Sequence, residues 1–149
     1  MTIENLIFDK TLTMVYLTRI ENFNAAHKLY NEAWSFEKNQ AEFGKCANAN
    51  WHGHNYKLEV TVKGKPDKAT GYFINAAELS SIIKREITEV LDHKNLNIDI
   101  DWLKGVQPTS EMICISIWKQ LSPHLEGKCQ LHKLKLVETP NIYVEYYGE

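Results

Sequence analysis

The sequence predicts an α+β domain in which a four-stranded antiparallel sheet carries two helices on one face. Three observations indicate this fold class. Apolar and polar residues alternate strictly over residues 55–63, two later segments carry apolar residues at helical spacing, and a strand–turn–strand pattern lies near the C-terminus. Four strands are too few to close a barrel, so open edges remain that favour pairing between copies of the chain.

Two strands precede the helices and two follow them. Residues 14–23 form the first strand, and residues 55–63 form the second and clearest one. Residues 63–71 contain Gly, Pro and Asp and are predicted to be a loop. Residues 131–138 and 142–146 are predicted to form a hairpin around Thr139-Pro140-Asn141.

Two amphipathic helices lie between the strand pairs. The apolar stripe of the first comprises Leu79, Ile82, Ile83, Ile87, Val90 and Leu91. The second helix begins after Pro108, where Thr109 is a suitable N-cap, and Pro123 indicates that it ends nearby. Its apolar stripe comprises Cys114, Ile117, Trp118, Leu121 and Leu125.

The composition is typical of one globular domain spanning residues 1–149. Apolar residues make up 44% and the net charge is −2, so no basic face suggests a nucleic-acid partner. No run of apolar residues is long enough for a membrane helix, and residues 1–13 do not have the pattern of a leader peptide. Three sparse cysteines do not make a disulfide framework, so we expect a cytoplasmic protein.

Three histidines form a candidate metal site. His52-Gly53-His54 directly precedes the second strand, and residues two apart in extended chain project from the same face. His27 follows the first strand, so a hairpin of these strands brings it beside the pair. Three imidazoles with an open fourth position are typical of catalytic zinc, although other metals bind them and short histidine motifs also occur without metal.

Polar residues also stand where the strand patterns call for apolar ones. His52 and His54 share the parity of the apolar residues of the second strand, and Glu138 shares that of Leu134 and Leu136. Local departures from a pattern tend to mark function.

Two further features can carry chemistry. Cys46 lies six residues before His52, and its neighbour Lys45 is expected to favour the reactive thiolate. Asp92 precedes His93 at the end of the first helix, and a carboxylate beside an imidazole suits a proton shuttle. Taken alone, each feature is better interpreted without a function, as an inert free cysteine and as a histidine that interacts with the dipole at a helix C-terminus.

Five motifs in order resemble the 6-pyruvoyl-tetrahydropterin synthase family. They are FNAAHKLY, FGKCANANWHGHNY, LDHKNLN, PTSE and VETPN, and the resemblance runs from about Phe23 to the C-terminus. It implies a zinc-dependent lyase of tetrahydrobiopterin-type biosynthesis. Such an enzyme converts 7,8-dihydroneopterin triphosphate into 6-pyruvoyl-tetrahydropterin, with elimination of triphosphate and an internal redox rearrangement of the side chain.

The resemblance also implies catalytic roles for individual residues. The zinc ligands would be His27, His52 and His54. Cys46 would abstract protons, with Asp92 and His93 as its partners.

Contacts to the substrate are implied in the same way. Glu138 would anchor the pterin ring, because a carboxylate accepts two parallel hydrogen bonds from its amino edge. Backbone groups of Thr109 and Ser110 would assist, and Glu111 is a weaker candidate. The resemblance assigns no residue to the triphosphate. The cations near these motifs are Lys28, Lys45 and Lys94, and each is equally a candidate for an ordinary solvated surface lysine.

The fold implied by the resemblance is the tunnelling fold. Three subunits join their sheets into a barrel, two trimers stack into a hexamer, and active sites lie between subunits. Asp92 and His93 are then able to serve the Cys46 of a neighbouring chain. One departure concerns the pocket mouth, because Trp51 stands where animal members of the family carry a glycine, and Ala47 and Ala49 also differ.

Three rival functions stay open from the sequence. A relative that makes 6-carboxy-tetrahydropterin for queuosine synthesis uses the same substrate and zinc, but its cysteine usually lies closer to the HGH pair than the five intervening residues seen here. A pterin-binding protein without catalysis would not need the cysteine, the Asp–His pair and the ligands together. A zinc hydrolase would not call for both the cysteine and the pterin anchor.

Overall fold

The computed structural model describes residues 13–149. The prediction that residues 1–13 do not form a leader peptide therefore concerns residues that, except for Thr13, lie outside the described range. The strands of this range are β1 (Val15–His27), β2 (His52–Gly64), β3 (Lys94–Asn95), β4 (Gln130–Thr139) and β5 (Ile142–Tyr146). They form one sheet in the order β3-β1-β2-β4-β5. β1 pairs antiparallel with β2, β2 with β4 and β4 with β5, whereas β3 runs parallel to β1.

Three helices accompany this sheet in the described part of the chain. They are α1 (Phe36–Phe43), α2 (Ala76–Ile83) and α3 (Ser110–Leu125). α2 continues through a π-helical turn, Lys84–Thr88, into a last α-helical turn, Glu89–Leu91. The side chain of Asn75 caps α2 and that of Thr109 caps α3, each accepting hydrogen bonds from the first turn of its helix.

The core lies between one face of the sheet and the helices α2 and α3. The alternating apolar residues of β2 are at most 1% exposed, and they form one cluster with the apolar stripes of both helices. Val90 is the exception in the predicted stripes, because it is 37% exposed and lies outside this cluster. Burying each of these aliphatic side chains contributes about 1.5–3 kcal/mol. The predicted placement of both helices on one face is therefore confirmed.

The prediction of a four-stranded antiparallel sheet is wrong in one respect. β3 adds a fifth strand at the edge and makes the sheet mixed. Only Lys94 and Asn95 pair with β1, and two residues are too few to show an alternation in the sequence. The predicted loop over residues 63–71 also begins later, because Lys63 and Gly64 still belong to β2.

The prediction of two helices missed α1. Its sequence is mostly polar and exposed, with Asn39 as the residue that is buried, so it has no apolar stripe. Ser35 is nevertheless an N-cap, because its hydroxyl accepts a hydrogen bond from the Lys38 N–H at 3.2 Å. Asn39 fixes the segment before α1 by hydrogen bonds to backbone groups of Asn31, Trp34 and Ser35.

The hairpin of β1 and β2 sets the position of the candidate site. His27 pairs with His52 at the last position of the register, so both lie at the same end of the sheet. In the described residues, none of the helices combines the length and the apolar character that a membrane crossing requires.

Candidate metal centre and active site

Three histidines converge at the shared end of β1 and β2. One nitrogen atom of each of His27, His52 and His54 lies within 4.8 Å of the other two, which is close enough for the three to serve one ion. The ring centroids of His27 and His52 are 4.4 Å apart, and those of His52 and His54 are 4.9 Å apart. The hairpin therefore assembles the three side chains as the sequence predicts.

Gly53 allows this assembly for a steric reason. A Cβ atom at position 53 would lie 2.9 Å from the carbonyl oxygen of Ala25 in β1, a distance that real Cβ atoms almost never show. Any side chain here would push the two strands apart and separate His27 from the HGH pair. Close approach of the backbones, more than local flexibility, explains the glycine.

The orientation of His27 is fixed by a backbone contact. Its Nδ1 lies 2.8 Å from the carbonyl oxygen of Pro108, and because a carbonyl only accepts, Nδ1 carries the proton. The lone pair of Nε2 is then free to bind a metal, an arrangement that is common among metal-ligating histidines. Pro108 precedes the cap of α3, so the start of this helix holds the ligand in place.

The protonation and hydrogen bonding of the histidines suit a metal. Burial lowers the pKa of both His27 and His52, which favours the neutral imidazoles that metals bind. His27 Nε2 and both ring nitrogens of His52 are buried without a hydrogen-bond partner among residues 13–149. Buried polar atoms normally have a hydrogen-bond partner, so three ring nitrogens without one at the same place indicate that a ligand binds there. The residues present therefore fit a metal ion.

Glu138 in β4 adds a carboxylate to the same centre. Its Oε1 lies 3.6 Å from His27 Nε2 and 3.5 Å from His54 Nε2, and its side chain is 17% exposed. Glu138 therefore lies on the same face of the sheet as the histidines, as its parity with Leu134 and Leu136 in the sequence predicts.

Cys46 lies in the short helical turn Gly44–Ala47 and is half-buried. The N–H of Leu29 donates to the Cys46 carbonyl at 2.9 Å, which ties this turn to the chain just beyond His27. Burial, and next the Glu138 carboxylate, raise the pKa of the Cys46 thiol. The expectation that Lys45 favours the thiolate is therefore wrong for the chain as described, because burial and a nearby negative charge outweigh an exposed lysine.

Tyr56 is a site residue that the sequence reasoning counted only as core. It is 1% exposed, its ring centroid lies 5.5 Å from that of His54, and its hydroxyl has no hydrogen-bond partner in the described part of the chain. Burial and the charge of Glu138 raise its pKa, so the phenol stays neutral. Its parity with His52 and His54 was the signal that could have revealed it.

Asp92 and His93 form a separate pair that is fastened to β1. Asp92 Oδ1 accepts from the Asn24 N–H at 2.7 Å, and Oδ2 lies 2.8 Å from His93 Nδ1. The Asn24 hydrogen bond, and next the His93 contact, lower the pKa of Asp92. His93 has a positive φ of 58° and its side chain is 78% exposed. Within residues 13–149 no hydrogen bond joins this pair to Cys46 or to the three histidines.

An open groove of about 600 Å³ lies beside this pair. Its lining residues are Asn24, Ala25, Ala26, Gly53, His54, Asn55, His93, Lys94, Asn95 and Asp99. His54 thus faces both the metal centre and the groove, whereas Cys46 and Glu138 do not line it.

The remaining predicted residues lie around the start of α3. Thr109 Oγ1 accepts from the Met112 N–H at 3.3 Å, so this hydroxyl is used as a cap. Ser110 is 6% exposed and its hydroxyl has no hydrogen-bond partner among the described residues. Glu111 is exposed in the first turn of the helix.

Comparison with known proteins yields consistent matches over most of the chain. The family model for 6-pyruvoyl tetrahydropterin synthase matches residues 16–149. A 6-pyruvoyl tetrahydrobiopterin synthase of Dictyostelium discoideum is 46% identical over 135 residues, which are 91% of this chain and 97% of that protein. The protein of that name from Homo sapiens is 43% identical over 133 residues, 89% of this chain and 91% of that protein. The structure of Caenorhabditis elegans 6-pyruvoyl tetrahydropterin synthase matches with a TM-score of 0.86 and 33% identity, covering 93% of this chain and 98% of that one.

Proposed function

The chain belongs to the 6-pyruvoyl tetrahydropterin synthase family, and we propose that it converts 7,8-dihydroneopterin triphosphate into 6-pyruvoyl-tetrahydropterin. Triphosphate leaves and the terminal carbon of the side chain becomes a methyl group, which balances oxidation of the neighbouring hydroxyl-bearing carbon to a ketone. Oxidation of the second hydroxyl-bearing carbon to a ketone is balanced by reduction of a C=N bond of the pterin ring, so no external reductant is required. The observation that carries the proposal is the convergence of the three histidines, Glu138 and Cys46 at one end of the sheet.

We propose zinc as the metal held by His27, His52 and His54. Three neutral imidazoles that leave a position open for substrate are typical of catalytic zinc. When bound, zinc supplies a Lewis acid for the side-chain hydroxyls of the substrate, which acidifies the adjacent C–H bonds. The chain's own contribution is to hold His27 in one tautomer through Pro108 and to keep the centre partly shielded from water.

Cys46 is the proposed base that removes a proton from the substrate side chain. Its raised pKa means that the thiol is protonated near neutral pH in the chain as described, so its proton must pass to a partner before it can act. Asp92 and His93 are the proposed partners, since a carboxylate beside an imidazole can accept and hold that proton. Because the His93 side chain is 78% exposed and neither residue makes a hydrogen bond to Cys46 within residues 13–149, we propose that they serve a neighbouring subunit.

This arrangement requires an oligomer, for which we propose the hexamer of the tunnelling fold. β3 and β5 are the edge strands of the described sheet, and edge strands can pair with another copy. Ile142 and Tyr143 on β5 are 53% and 55% exposed, which supplies apolar surface for such a contact. The three free cysteines support a reducing compartment, and we propose the cytoplasm.

Glu138 is the proposed anchor of the pterin ring, and backbone groups of Thr109 and Ser110 are proposed to assist it. A carboxylate that accepts two parallel N–H groups forms a strong and directional contact in a partly buried site. Glu138 Oε1 lies 3.5 Å from His54 Nε2, so Glu138 would also be suitably placed as a fourth metal ligand. Replacing Glu138 with Gln separates the two roles. Glu138→Gln should lose pterin affinity and keep its zinc. Loss of zinc from this variant would instead assign Glu138 to the metal.

Mass spectrometry of the products tests the proposed reaction. The zinc-loaded protein is incubated with 7,8-dihydroneopterin triphosphate, and we expect a 6-pyruvoyl pterin together with triphosphate. A 6-carboxy pterin with acetaldehyde would overturn the product assignment while leaving the site residues in place. Pterin binding without turnover would overturn the enzyme assignment and leave a binding protein.

A further inference from the structure

Lys28 is held in place at both its backbone and its side chain. Its N–H donates to Asn97 Oδ1 at 3.0 Å, and its carbonyl accepts from Asn97 Nδ2 at 2.9 Å. Its ammonium nitrogen lies 4.3 Å from the ring centroid of Tyr30 and 5.8 Å from that of Trp51. Such cation–π contacts attract an ammonium group electrostatically, so Lys28 has a defined position at the protein surface.

Trp51 adopts an unfavourable backbone conformation where it contacts Lys28. Its φ of 65° lies in the left-handed region, which a bulky aromatic residue rarely enters. Among the described non-glycine residues, His93 is the other one with a positive φ. Strain of this kind persists where surrounding structure enforces it and is common at functional sites.

The position of this cation relates it to the candidate active site. Lys28 directly follows His27, the last residue of β1, and Trp51 directly precedes His52, the first residue of β2. Because His27 pairs with His52, Lys28 and Trp51 lie just beyond the same end of the hairpin. Leu29, between Lys28 and Tyr30, donates its N–H to the Cys46 carbonyl. The Lys28 ammonium group therefore stands next to the segments that carry two histidines and the thiol.

Within residues 13–149, Lys28 also lacks a partner that would neutralise it. In the described range, no carboxylate oxygen lies within 4 Å of its ammonium nitrogen, whereas Lys84, Lys104 and Lys128 each have one. Lys45 and Lys94 are exposed, but Lys28 is half-buried. A fixed, partly desolvated and unneutralised cation is suited to bind an anion.

We propose that Lys28, oriented by Asn97, Tyr30 and Trp51, binds the phosphate groups of the substrate. This inference rests on the proposed function, because it takes the triphosphate of that substrate as the ligand. Trp51 is a positioning residue in this arrangement, since its ring acts on the anion through Lys28.

The test compares Lys28→Gln with Lys38→Gln in the zinc-loaded enzyme. Lys38 is a matched control, because its ammonium nitrogen lies 4.1 Å from the ring centroid of Trp34 in another part of the chain. We expect Lys28→Gln to raise the KM for the substrate, and the Kd of inorganic triphosphate measured by calorimetry, about 10- to 100-fold. Lys38→Gln should change neither value, and the affinity of Lys28→Gln for 7,8-dihydroneopterin, which has no phosphate, should stay unchanged.

Two results would overturn the proposal. An unchanged triphosphate Kd in Lys28→Gln would remove Lys28 from the anion site, and an equal loss of affinity for dihydroneopterin would make it part of the pterin pocket. Calorimetry measures binding without turnover. If the wild-type protein binds triphosphate through Lys28 but makes no product, this result would contradict only the proposed function.

Trp51→Gly tests the positioning role separately. Glycine tolerates φ of 65°, so this variant should fold at least as stably as the wild type. We expect its triphosphate Kd to rise severalfold because Lys28 gains freedom. A Kd equal to that of the wild type would show that the Trp51 ring has no part in anion binding.

Discussion

The hydroxyl of Tyr56 offers a sharp test of how the candidate site is built. It is buried at the histidine centre without a hydrogen-bond partner among residues 13–149. Leaving such a group unpaired costs about 1–3 kcal/mol relative to an apolar replacement. Tyr56→Phe removes this oxygen alone and keeps the ring stacked on Phe23, with centroids 5.0 Å apart. We therefore expect the metal-free variant to be more stable than the wild type by about 1 kcal/mol.

Urea unfolding of the metal-free proteins, at equal chain concentration, measures this difference. Thermal unfolding gives an independent check, because for a chain of this size about 1 kcal/mol corresponds to a rise in Tm of about 2–4 °C. Tyr146→Phe is the matched control, because the Tyr146 hydroxyl donates to the Glu149 carbonyl at 2.8 Å and its loss should not stabilise the protein. If Tyr56→Phe is destabilised by 1 kcal/mol or so, the hydroxyl has a protein partner and the reasoning is refuted.

Three other substitutions test separate parts of the structure. Cys46→Ala should abolish turnover in a product assay and leave zinc and pterin binding unchanged, because the thiol is the proposed base. Asn39→Ala should lower the free energy of unfolding by about 2–3 kcal/mol, because four hydrogen bonds to three residues are lost. For Asp92, the pKa in the folded chain lies below the ordinary value of 3.8, so its stabilisation is complete above that pH. The difference in urea midpoint between the wild type and Asp92→Asn should therefore shrink as the pH falls from about 5 to below 3.8.

Each of these predictions has a control or a contrary outcome. Full activity of Cys46→Ala would remove the thiol from catalysis. Cys129→Ala should retain activity, because Cys129 precedes Gln130, which pairs with Lys63 at the end of β2 opposite His52. Asn48 is exposed, so Asn48→Ala should change stability by less than about 0.5 kcal/mol. A difference for Asp92→Asn that does not shrink in acid would mean that the carboxylate charge contributes nothing to stability.

Much of the fold could be predicted because its signals are local and periodic. The alternation in β2 and the stripes of α2 and α3 reflect one buried face, and burial is what the pattern records. α1 and β3 escaped because neither has such a face. α1 is held by its cap and by Asn39, and β3 consists of two residues whose pairing depends on where β1 lies.

The candidate site divides in the same way. The meeting of His27 with the HGH pair follows from strand order and parity, so it could be predicted from the sequence. The unpaired hydroxyl of Tyr56 and the raised pKa of Cys46 depend on burial and on charges brought from β4, which no sequence spacing shows. The strain at Trp51 likewise appears only once the backbone is known.

Zinc content is the measurement that tests the histidine centre most directly. After dialysis, the wild-type protein should retain about one zinc ion per chain, as expected for three protein ligands. His52→Ala should lose this zinc, whereas His132→Ala, which changes a histidine at the other end of the sheet, should keep it. If His52→Ala retains as much zinc as the wild type, the three histidines do not form the metal centre and the proposed mechanism is contradicted.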